Sequence, residues 1–386
     1  MISAHPHQPI PTNLSAKLHT TAFAFRGYNE TNLGRSSELL AHPRYGEVVA
    51  EHLQAASRTC ADVTGRPIDL VDRVRRGEET SLETYAEAVS LIVAIEQAQI
   101  ALARDLFRVE FEKAKLVYGY SLGEISALIS CGVLDMDAAL RIPLELTPDC
   151  VELARDVTLG ILFSRRAVLP MHDVNRLCLR INNEGDGAMG ISAYLSPNSV
   201  LLMGQRDTLK RYKRRIKEEV DDTAHLRLHG GDWPPLHTPI MWERNIPNRA
   251  AVLMHTMRGG FTAPVPKILS LVTGKLSYND YNAREIIQRW IDHPQRLWDA
   301  VYETLDEGIE RVVHVGPAPN IIPSTFKRLS DNVEVQTRGR LGVRTLKAIV
   351  PHPWLKRILP AQAALLRAPL VEHVMLEDWL LAQPAT

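Results

Sequence analysis

Apolar positions divide the first third of the chain into short runs and one long periodic stretch. The run TTAFAF (20–25) is rich in strand-forming residues and ends in RGYNETNLGR, which predicts a first strand followed by a functional loop. From Ser81 to about Phe111, apolar residues recur at helical spacing without a proline, which predicts a long, largely buried helix. AKLVYGYSLG (114–123) predicts a short strand, and a helical pattern begins directly after Ser121. This serine is therefore predicted to lie on a tight strand-to-helix turn.

The rest of the chain mixes strand and helix patterns. Between 157 and 217, strand patterns with helical patterns between and after them predict a small α+β insertion. The alternating HLRLH (225–229) predicts one more strand, and the proline-rich WPPLHTPIM (233–241) predicts an irregular loop around one histidine. The remaining predicted elements are a strand at ILSLVTG, helices at REIIQRWI and WDAVYETLDEGI, and a strand at RVVHVG. Residues from about Ser330 onward look like an appendage.

Composition limits the class of protein. The 45 lysine and arginine residues balance 45 aspartate and glutamate residues, so no net field favours nucleic acid, and we expect no nucleic-acid partner. Four scattered cysteines suit a reducing cytoplasm and predict neither a disulfide framework nor a metal site. The first residues hold no signal-peptide core, and no segment approaches ~18 uninterrupted apolar residues, so we expect no membrane span. We expect a cytoplasmic monomer.

The sequence GYSLG (119–123) matches the GxSxG pattern, in which glycines beside a serine allow a strained turn that exposes its hydroxyl. The backbone amide of Leu122 follows the serine and points, with the helix dipole, toward the negative charge of a tetrahedral intermediate. These five residues alone fit an ordinary strand-to-helix turn equally well. The predicted strand before Ser121 and helix after it favour a nucleophile.

Five ordered motifs resemble those of the malonyl-CoA:acyl carrier protein transacylases and of polyketide synthase acyltransferase domains. They are FAFRGYN, GYSLGEISALISCGVL (similar to the family's GHSxGE signature), PLHTPIM, ILSLVTGK, and HPQRLWDAV with HVGPAPN. The resemblance implies an α/β fold, with a hydrolase-like parallel-sheet core and an inserted ferredoxin-like α+β subdomain. The implied domains are an N-terminal extension (1–20), the acyltransferase core (21–154 and 226–330), the ferredoxin-like subdomain (155–225) and a C-terminal extension (331–386).

The resemblance also implies roles for single residues. Ser121 resembles the nucleophile that becomes acylated, and His237 resembles the general base. A neutral imidazole can take the serine proton and return it to the leaving thiol. The family orients this histidine with a main-chain carbonyl, which here falls around Leu271. The amides of Arg26 and Leu122 would form the oxyanion hole.

The implied reaction is ping-pong transfer of an acyl group from an acyl-CoA to the phosphopantetheine thiol of an acyl carrier protein, in fatty acid or polyketide biosynthesis. No bound cofactor and no metal are implied. If water accepts the acyl group instead, the protein is a hydrolase that clears stalled carrier proteins. A third alternative is a non-catalytic carrier-binding protein, which the intact Ser121 and His237 disfavour.

Two positions depart from the family. The histidine before the family's nucleophile is Tyr120 here, and the arginine that malonyl-specific members carry 25 positions after the serine is Leu146. Both replaced groups hold the malonyl carboxylate in the family, and a leucine cannot pair with a carboxylate. We therefore expect a preference for an uncharged acyl group. Arg141, on another face of the same helix, could compensate only from a different direction.

Other sequence patterns have simple structural explanations beside a functional one. The run LKRYKRRIK, with Lys210, Arg211, Lys213 and Arg214, predicts either a solvated helix face or a docking surface for an acidic carrier protein. GDGAMG (185–190) precedes a predicted strand rather than a helix, which disfavours a dinucleotide site. His225 and His229 lack a third ligand for a metal. His314, inside a strand pattern, is a weaker candidate base than His237.

Overall fold

The computed structural model describes residues 13–341 and 353–384 of the 386-residue chain. Within these residues the strands are β1 (Thr21–Phe25), β2 (Leu116–Gly119), β3 (Val157–Ser164), β4 (Met189–Ser196), β5 (Ser199–Gln205), β6 (Ala224–His229), β7 (Arg311–Val315) and β8 (Glu372–Met375). The α-helices are α1 (Ser36–Ala41), α2 (Gly46–Thr64), α3 (Leu70–Arg76), α4 (Tyr85–Phe107), α5 (Leu122–Ser130), α6 (Met136–Ala154), α7 (Met171–Asn182), α8 (Thr208–Glu219), α9 (Ile246–Thr256), α10 (Ala283–Trp290), α11 (Leu297–Asp306), α12 (Ile321–Leu341), α13 (Pro353–Ile358) and α14 (Leu376–Leu381). Short 3-10 helices cover Leu18–Thr20, Phe111–Lys113, Pro239–Asn245 and Ala363–Leu370.

A parallel sheet forms the centre of the larger lobe. Its strand order is β2-β1-β7-β8, and every neighbouring pair is parallel. Every residue of β1 is buried, and alternate side chains join two different apolar clusters. A strand covered on both faces is apolar throughout, which explains why TAFAF does not alternate with polar residues. The loops that leave the carboxyl ends of β1, β2 and β7 therefore emerge at one edge of the sheet.

Helix α4 is the central helix of the larger lobe. It packs against α2, α5 and α6. Its length and hydropathy would allow it to span a membrane, but 83% of its most apolar window is buried inside the protein. The prediction of a long buried helix between Ser81 and Phe111 is confirmed.

A second, antiparallel sheet forms the smaller lobe. Its strand order is β4-β5-β3-β6, and α7 and α8 pack against it. The chain order β3-α7-β4-β5-α8-β6 is that of a ferredoxin-like unit. Helix α8 turns Leu209, Tyr212 and Ile216 into the apolar cluster of this lobe. The predicted α/β fold with a parallel core and an inserted α+β subdomain is confirmed.

Two predicted domain boundaries are wrong. The subdomain does not end at 225, because β6 pairs with β3 through His229. The core does not end at 330, because α12 crosses that point and β8 adds to the parallel sheet beside β7. The segment from Ser330 is thus partly core, although TLKAIVPH (345–352) lies outside the described residues. Much of the N-terminal extension also lies outside them, and Leu14 and Leu18 are buried.

ILSLVTG does not form the predicted strand. Ile268 makes a single parallel bridge to Val117, and the chain then turns back so that Ser270 pairs with Lys275. Gly274, with φ 72°, closes this turn by donating its amide to the carbonyl of Ser270 over 2.8 Å. A left-handed φ favours glycine, so the turn ends the extended segment after a few residues.

Candidate active site

Ser121 lies on the turn between β2 and α5, with φ 55° and ψ −118°. A positive φ is rare for a residue that carries a side chain and marks a strained turn. The turn closes tightly, since a Cβ atom on Gly119 would lie 2.0 Å from the main chain of Gly123. This close approach is the physical reason for the first glycine of GxSxG. The turn holds the Ser121 side chain at the carboxyl edge of the parallel sheet.

His237 reaches Ser121 from the irregular loop between β6 and the Pro239–Asn245 helix. Its Nε2 lies 2.8 Å from Ser121 Oγ, and the carbonyl oxygen of Trp290 lies 2.6 Å from its Nδ1. A carbonyl only accepts hydrogen bonds, so Nδ1 carries the proton and Nε2 presents its lone pair to the serine hydroxyl. The structure therefore brings the two predicted catalytic residues together in the geometry of a nucleophile and its base.

The electrostatic setting keeps His237 neutral. The residue is 4% exposed, and this burial lowers the pKa of its imidazole to about 4. The hydrogen bond to the Trp290 carbonyl and the charge of Asp292 act in the opposite direction and offset only part of the effect. A neutral imidazole is the form that can accept the serine proton.

The prediction that Leu271 orients His237 is wrong. The carbonyl of Leu271 accepts from the amide of Arg296 over 2.7 Å, and its own amide donates to Glu124 Oε2 over 3.1 Å. Both main-chain groups are thus engaged, and the carbonyl of Trp290 takes the predicted role.

Two residues that sequence reasoning missed complete the support of the dyad. Trp290 donates its indole N–H to the main-chain oxygen of Ser121 over 2.8 Å. Gln295 accepts the amide of Ser121 on its Oε1 over 2.9 Å. Gln295 belongs to the segment HPQRLW that resembles a family motif, which was a usable signal, and Trp290 lies in the predicted helix REIIQRWI. Pattern alone could not say that their side chains reach the serine.

Only one of the two predicted oxyanion donors is placed as expected. Leu122 is the first residue of α5, so its amide has no acceptor within the helix, as an oxyanion donor beside Ser121 requires. The amide of Arg26 instead donates to Glu96 Oε1 over 2.8 Å and to the carbonyl of Val315 over 3.3 Å. The prediction for Arg26 is therefore wrong, because strand pairing and a buried carboxylate engage that amide.

Arg26 has a structural role in the loop that follows β1. Its buried guanidinium donates to the carbonyls of Gly27, Pro317 and Thr31 and to Asn32 Oδ1. Burial lowers the pKa of Arg26 to about 10, and burial raises the pKa of Glu96 to about 8. Several acceptors around one guanidinium tie the loop after β1 to the loop after β7.

Glu124, the last residue of the GHSxGE-like motif, does not face the reacting atoms. Its carboxylate accepts from the amide of Leu271 and from the hydroxyl of Tyr278, over 3.1 and 2.9 Å. Burial raises the pKa of Glu124 to about 7, against the lowering effect of these hydrogen bonds. The residue ties α5 to the turn after Ile268, which is a structural role.

The two residues predicted to set acyl selectivity pack in different places. Leu146, on α6, is 2% exposed and belongs to the largest apolar cluster. Tyr120 packs against the second cluster, on the other face of the parallel sheet. Arg141 does not compensate for the missing arginine, because it pairs with Asp62 and Asp137 at the surface.

The basic run lies on α8 as predicted, but one of its four candidate docking residues is not available. Arg211 is buried and pairs with Glu184 and Asp207. This pairing removes it from the predicted docking surface. The exposed bases of the run are Lys210, Lys213, Arg214 and Lys217.

The other histidines and the glycine-rich loop considered in the sequence lie elsewhere in the described structure. His314 lies on β7 with its Nε2 2.9 Å from Nδ1 of His373, and the histidine that contacts Ser121 Oγ is His237. Gly185 and Gly187 form a loop before β4, and His225 and His229 lie on β6 at the edge of the small sheet. Within 13–341 and 353–384, no group of three or more histidine, cysteine or acidic residues is placed to hold a metal ion.

Comparison with known proteins identifies relatives. No family model matches the sequence. The chain is 23% identical to the malonyl CoA-acyl carrier protein transacylase of Bacillus subtilis over 59% of its length, but it spans only 54% of that relative. It is 24% identical to polyketide synthase GfsA of Streptomyces halstedii over 77% of its length and 4% of the synthase. It is 23% identical to the Escherichia coli K12 transacylase over 81% of its length and 93% of that protein.

Solved structures share the fold. FabD from Acinetobacter baumannii superposes with a TM-score of 0.64 at 18% identity, over 91% of this chain and 99% of that one. A malonyl-transacylase in complex with a type II polyketide synthase acyl-carrier protein gives a TM-score of 0.61 at 20% identity, over 79% and 91%. The chain thus resembles malonyl-CoA:acyl carrier protein transacylases in sequence and has their fold.

Proposed function

We propose that this protein is an acyltransferase that moves an acyl group from an acyl-CoA, through an ester on Ser121, to the phosphopantetheine thiol of an acyl carrier protein. The observation that carries the proposal is the 2.8 Å contact between Ser121 Oγ and His237 Nε2 on a strained turn at the start of α5. Relatives named as transacylases that share the fold support the same reaction. CoA thioester is a substrate here, and the chain needs no cofactor for acyl transfer.

The proposed reaction has two mirrored halves. His237 Nε2 takes the proton of Ser121 as Oγ bonds to the thioester carbonyl carbon, and the carbonyl oxygen becomes negative. When the carbon–sulfur bond breaks, the imidazolium returns the proton to the leaving thiolate. The carrier's thiol then attacks the acyl-serine in the same way, and Ser121 recovers its proton.

The amide of Gly27 is our candidate for the second oxyanion donor. Gly27 follows Arg26, and a Cβ atom on it would lie 3.2 Å from Ser121 Cβ and 2.6 Å from the carbonyl oxygen of Tyr120. The amide makes no main-chain hydrogen bond to any residue in the described segments. Together with the amide of Leu122 it would give the two donors that acyl transfer requires.

We propose that the acyl group preferentially transferred to Ser121 is uncharged. Leu146 offers no cation, and Arg141 is engaged by Asp62 and Asp137. Next to Gly27, the ring of Tyr28 contacts those of Tyr85 and Trp233, at 4.9 and 6.1 Å between centroids. Aromatic and aliphatic surface favours an apolar group over a carboxylate, which loses its hydration when buried.

The partner in the second half-reaction is proposed to be an acidic carrier protein. A solved relative is described in complex with an acyl-carrier protein. Lys210, Lys213 and Arg214 form an exposed basic face on α8 of the small lobe, which would steer an acidic domain by charge. Transfer to water rather than to the carrier's thiol would make the protein a hydrolase.

Intact mass measurement tests this proposal directly. The wild type is incubated with acetyl-, butyryl- and malonyl-CoA, and Ser121→Ala serves as the control. We expect an acyl adduct on the wild type and none on the variant. Addition of a holo acyl carrier protein should then move the adduct to the carrier faster than water removes it. An adduct that persists in Ser121→Ala would contradict the nucleophile, and loss to water at equal speed would favour the hydrolase.

A further inference from the structure

Gln295 lies directly beneath the dyad and is fully buried. Its Oε1 accepts the amide of Ser121 over 2.9 Å, and its Nε2 lies 3.3 Å from His237 Nδ1. One side chain is therefore in contact with both the main chain of the nucleophile and the ring of the base. The Trp290 side chain also contacts both residues, through its indole bond to the Ser121 main-chain oxygen and its ring against that of His237.

The main chain of Gln295 is fixed by the small lobe. Its amide donates to the carbonyl of Ser192, and its carbonyl accepts from the amide of Tyr194, each over 2.8 Å. These bonds make a parallel bridge to β4 at Ala193. A single residue thus connects the antiparallel sheet of the small lobe to the strained turn of Ser121.

Hydrogen-bond chemistry assigns the orientation of the Gln295 amide. The Ser121 N–H is a donor that needs an acceptor, so Oε1 must face it and the NH2 group must face His237. Nδ1 already carries a proton, because it donates to the Trp290 carbonyl. Two donors therefore face each other at 3.3 Å, and the positive end of the amide dipole opposes a positive charge on the ring.

We propose that Gln295 is a positioning residue that holds the Ser121 turn to the small lobe and keeps a neutral amide, rather than a carboxylate, beside His237 Nδ1. This inference rests on the proposed acyl transfer through Ser121. A carboxylate at the same place would accept from both the Ser121 amide and His237 Nδ1, and it would favour the imidazolium.

The other charged groups near the His237 ring also influence its protonation. Asp292 acts on His237 and is bonded by His293 over 2.6 Å. Arg296, next to Gln295, pairs with Asp299. On the far side of the turn, Glu124 is engaged by the Leu271 amide and Tyr278. None of these groups changes when Gln295 alone is replaced.

The test is the pH profile of Gln295→Glu. The probe is a fluorophosphonate, which bonds its phosphorus to Ser121 Oγ, loses fluoride, and needs the serine proton to pass to His237. As pH is lowered, the labelling rate should decline because His237 becomes protonated. We expect this decline to occur at a pH at least about one unit higher in Gln295→Glu than in the wild type, since a carboxylate a few ångströms away favours the charged ring. Gln99→Glu is the matched control: Gln99 is also fully buried, and its Oε1 accepts the Gly316 amide over 2.8 Å. In this control, the decline of the labelling rate at low pH (the acid limb of the pH profile) should have the same midpoint as in the wild type.

Gln295→Leu is a second variant, to be used if Gln295→Glu does not fold. It leaves the buried Ser121 amide without its acceptor, and we expect labelling to slow about 10- to 100-fold with little change in KM for the acyl-CoA. A folded Gln295→Glu with an unshifted acid limb, or a Gln295→Leu that labels at the wild-type rate, would overturn the inference. Failure of the wild type to label at Ser121 at all would instead overturn the proposed function.

Discussion

Trp290 and Ser121 are joined by a hydrogen bond from the indole Nε1 to the serine main-chain oxygen, over 2.8 Å. The carbonyl of the same tryptophan accepts from His237 Nδ1 over 2.6 Å. Trp290 is 1% exposed and ends α10, so its position is set by packing. The separation of nucleophile and base therefore depends on Trp290 as well as on Gln295.

Trp290→Phe separates these two contacts, because it removes the indole donor and keeps the carbonyl. A neutral hydrogen bond contributes about 0.5–1.5 kcal/mol, so we expect acylation by acyl-CoA to slow roughly 2- to 12-fold. The acid limb of the pH profile should stay in place, since Nδ1 keeps its acceptor. Trp298→Phe, on α11, is the control for loss of a buried indole away from the serine. Unchanged acylation in Trp290→Phe would show that the indole bond does not position the turn.

Short-range pattern was enough to predict the turn at Ser121, the loop of His237, the long helix α4 and the two lobes. These features rest on local periodicity, glycine spacing and proline content, and all of those are visible in the sequence. The supporting contacts are different in kind. Trp290 and Gln295 reach Ser121 from more than 160 residues away along the chain. No local pattern encodes such a contact.

The same limit explains the errors at Leu271, Arg26 and Arg211. Each prediction assigned a free group to a residue whose partner is distant in sequence. The Leu271 carbonyl is taken by Arg296, the Arg26 amide by Glu96, and the Arg211 guanidinium by Glu184. Which acceptor is nearest depends on tertiary packing, and a charge run does not reveal which of its members face inward.

The acid limit of catalysis should lie well below the ordinary range of histidine. Burial lowers the pKa of His237 to about 4, and the base acts in its neutral form, so activity is lost only as pH falls through that value. We expect the rate of acylation to stay level from pH 7 to about pH 5. Quench-flow mass measurement of the acetyl adduct checks this. A midpoint near pH 6.5 would mean that the ring is solvated.

The same lowered pKa predicts a contribution to stability. The unfolded chain binds a proton on this histidine near pH 6.5, whereas the folded protein does not until about pH 4. Only the unfolded chain takes up the proton between pH 6.5 and 4, so the fold loses stability as pH falls through that window. Thermal unfolding of His237→Ala should depend less on pH across that window than unfolding of the wild type. Equal slopes would contradict the burial of a neutral ring.

The exposed face of α8 should matter for the carrier protein and not for CoA. Replacement of Lys210, Lys213 and Arg214 together by alanine removes three charges that face solvent. Steering by exposed charge acts on association and fades with salt, so transfer to the carrier should slow at low salt while loading from acetyl-CoA is unchanged. The matched control removes three exposed arginines of the larger lobe, Arg58, Arg66 and Arg75. Equal losses in the two triple variants would leave α8 as an ordinary solvated helix.

Leu146 and Tyr120 pack against different apolar clusters, so substitutions at the two positions should affect acyl selectivity to different extents. We expect the wild type to load acetyl faster than malonyl. A charge-assisted pair contributes about 1.5–3 kcal/mol, so Leu146→Arg should raise the malonyl-to-acetyl ratio of kcat/KM by roughly 10- to 100-fold. Leu146→Met, similar in size and uncharged, should leave the ratio unchanged, and Tyr120→His should change it less than Leu146→Arg. The new cation is buried without a partner, so Leu146→Arg should also unfold at a lower temperature until malonyl loads and pairs with it. A wild type that already prefers malonyl would contradict the selectivity proposal and leave Ser121 and His237 in their roles.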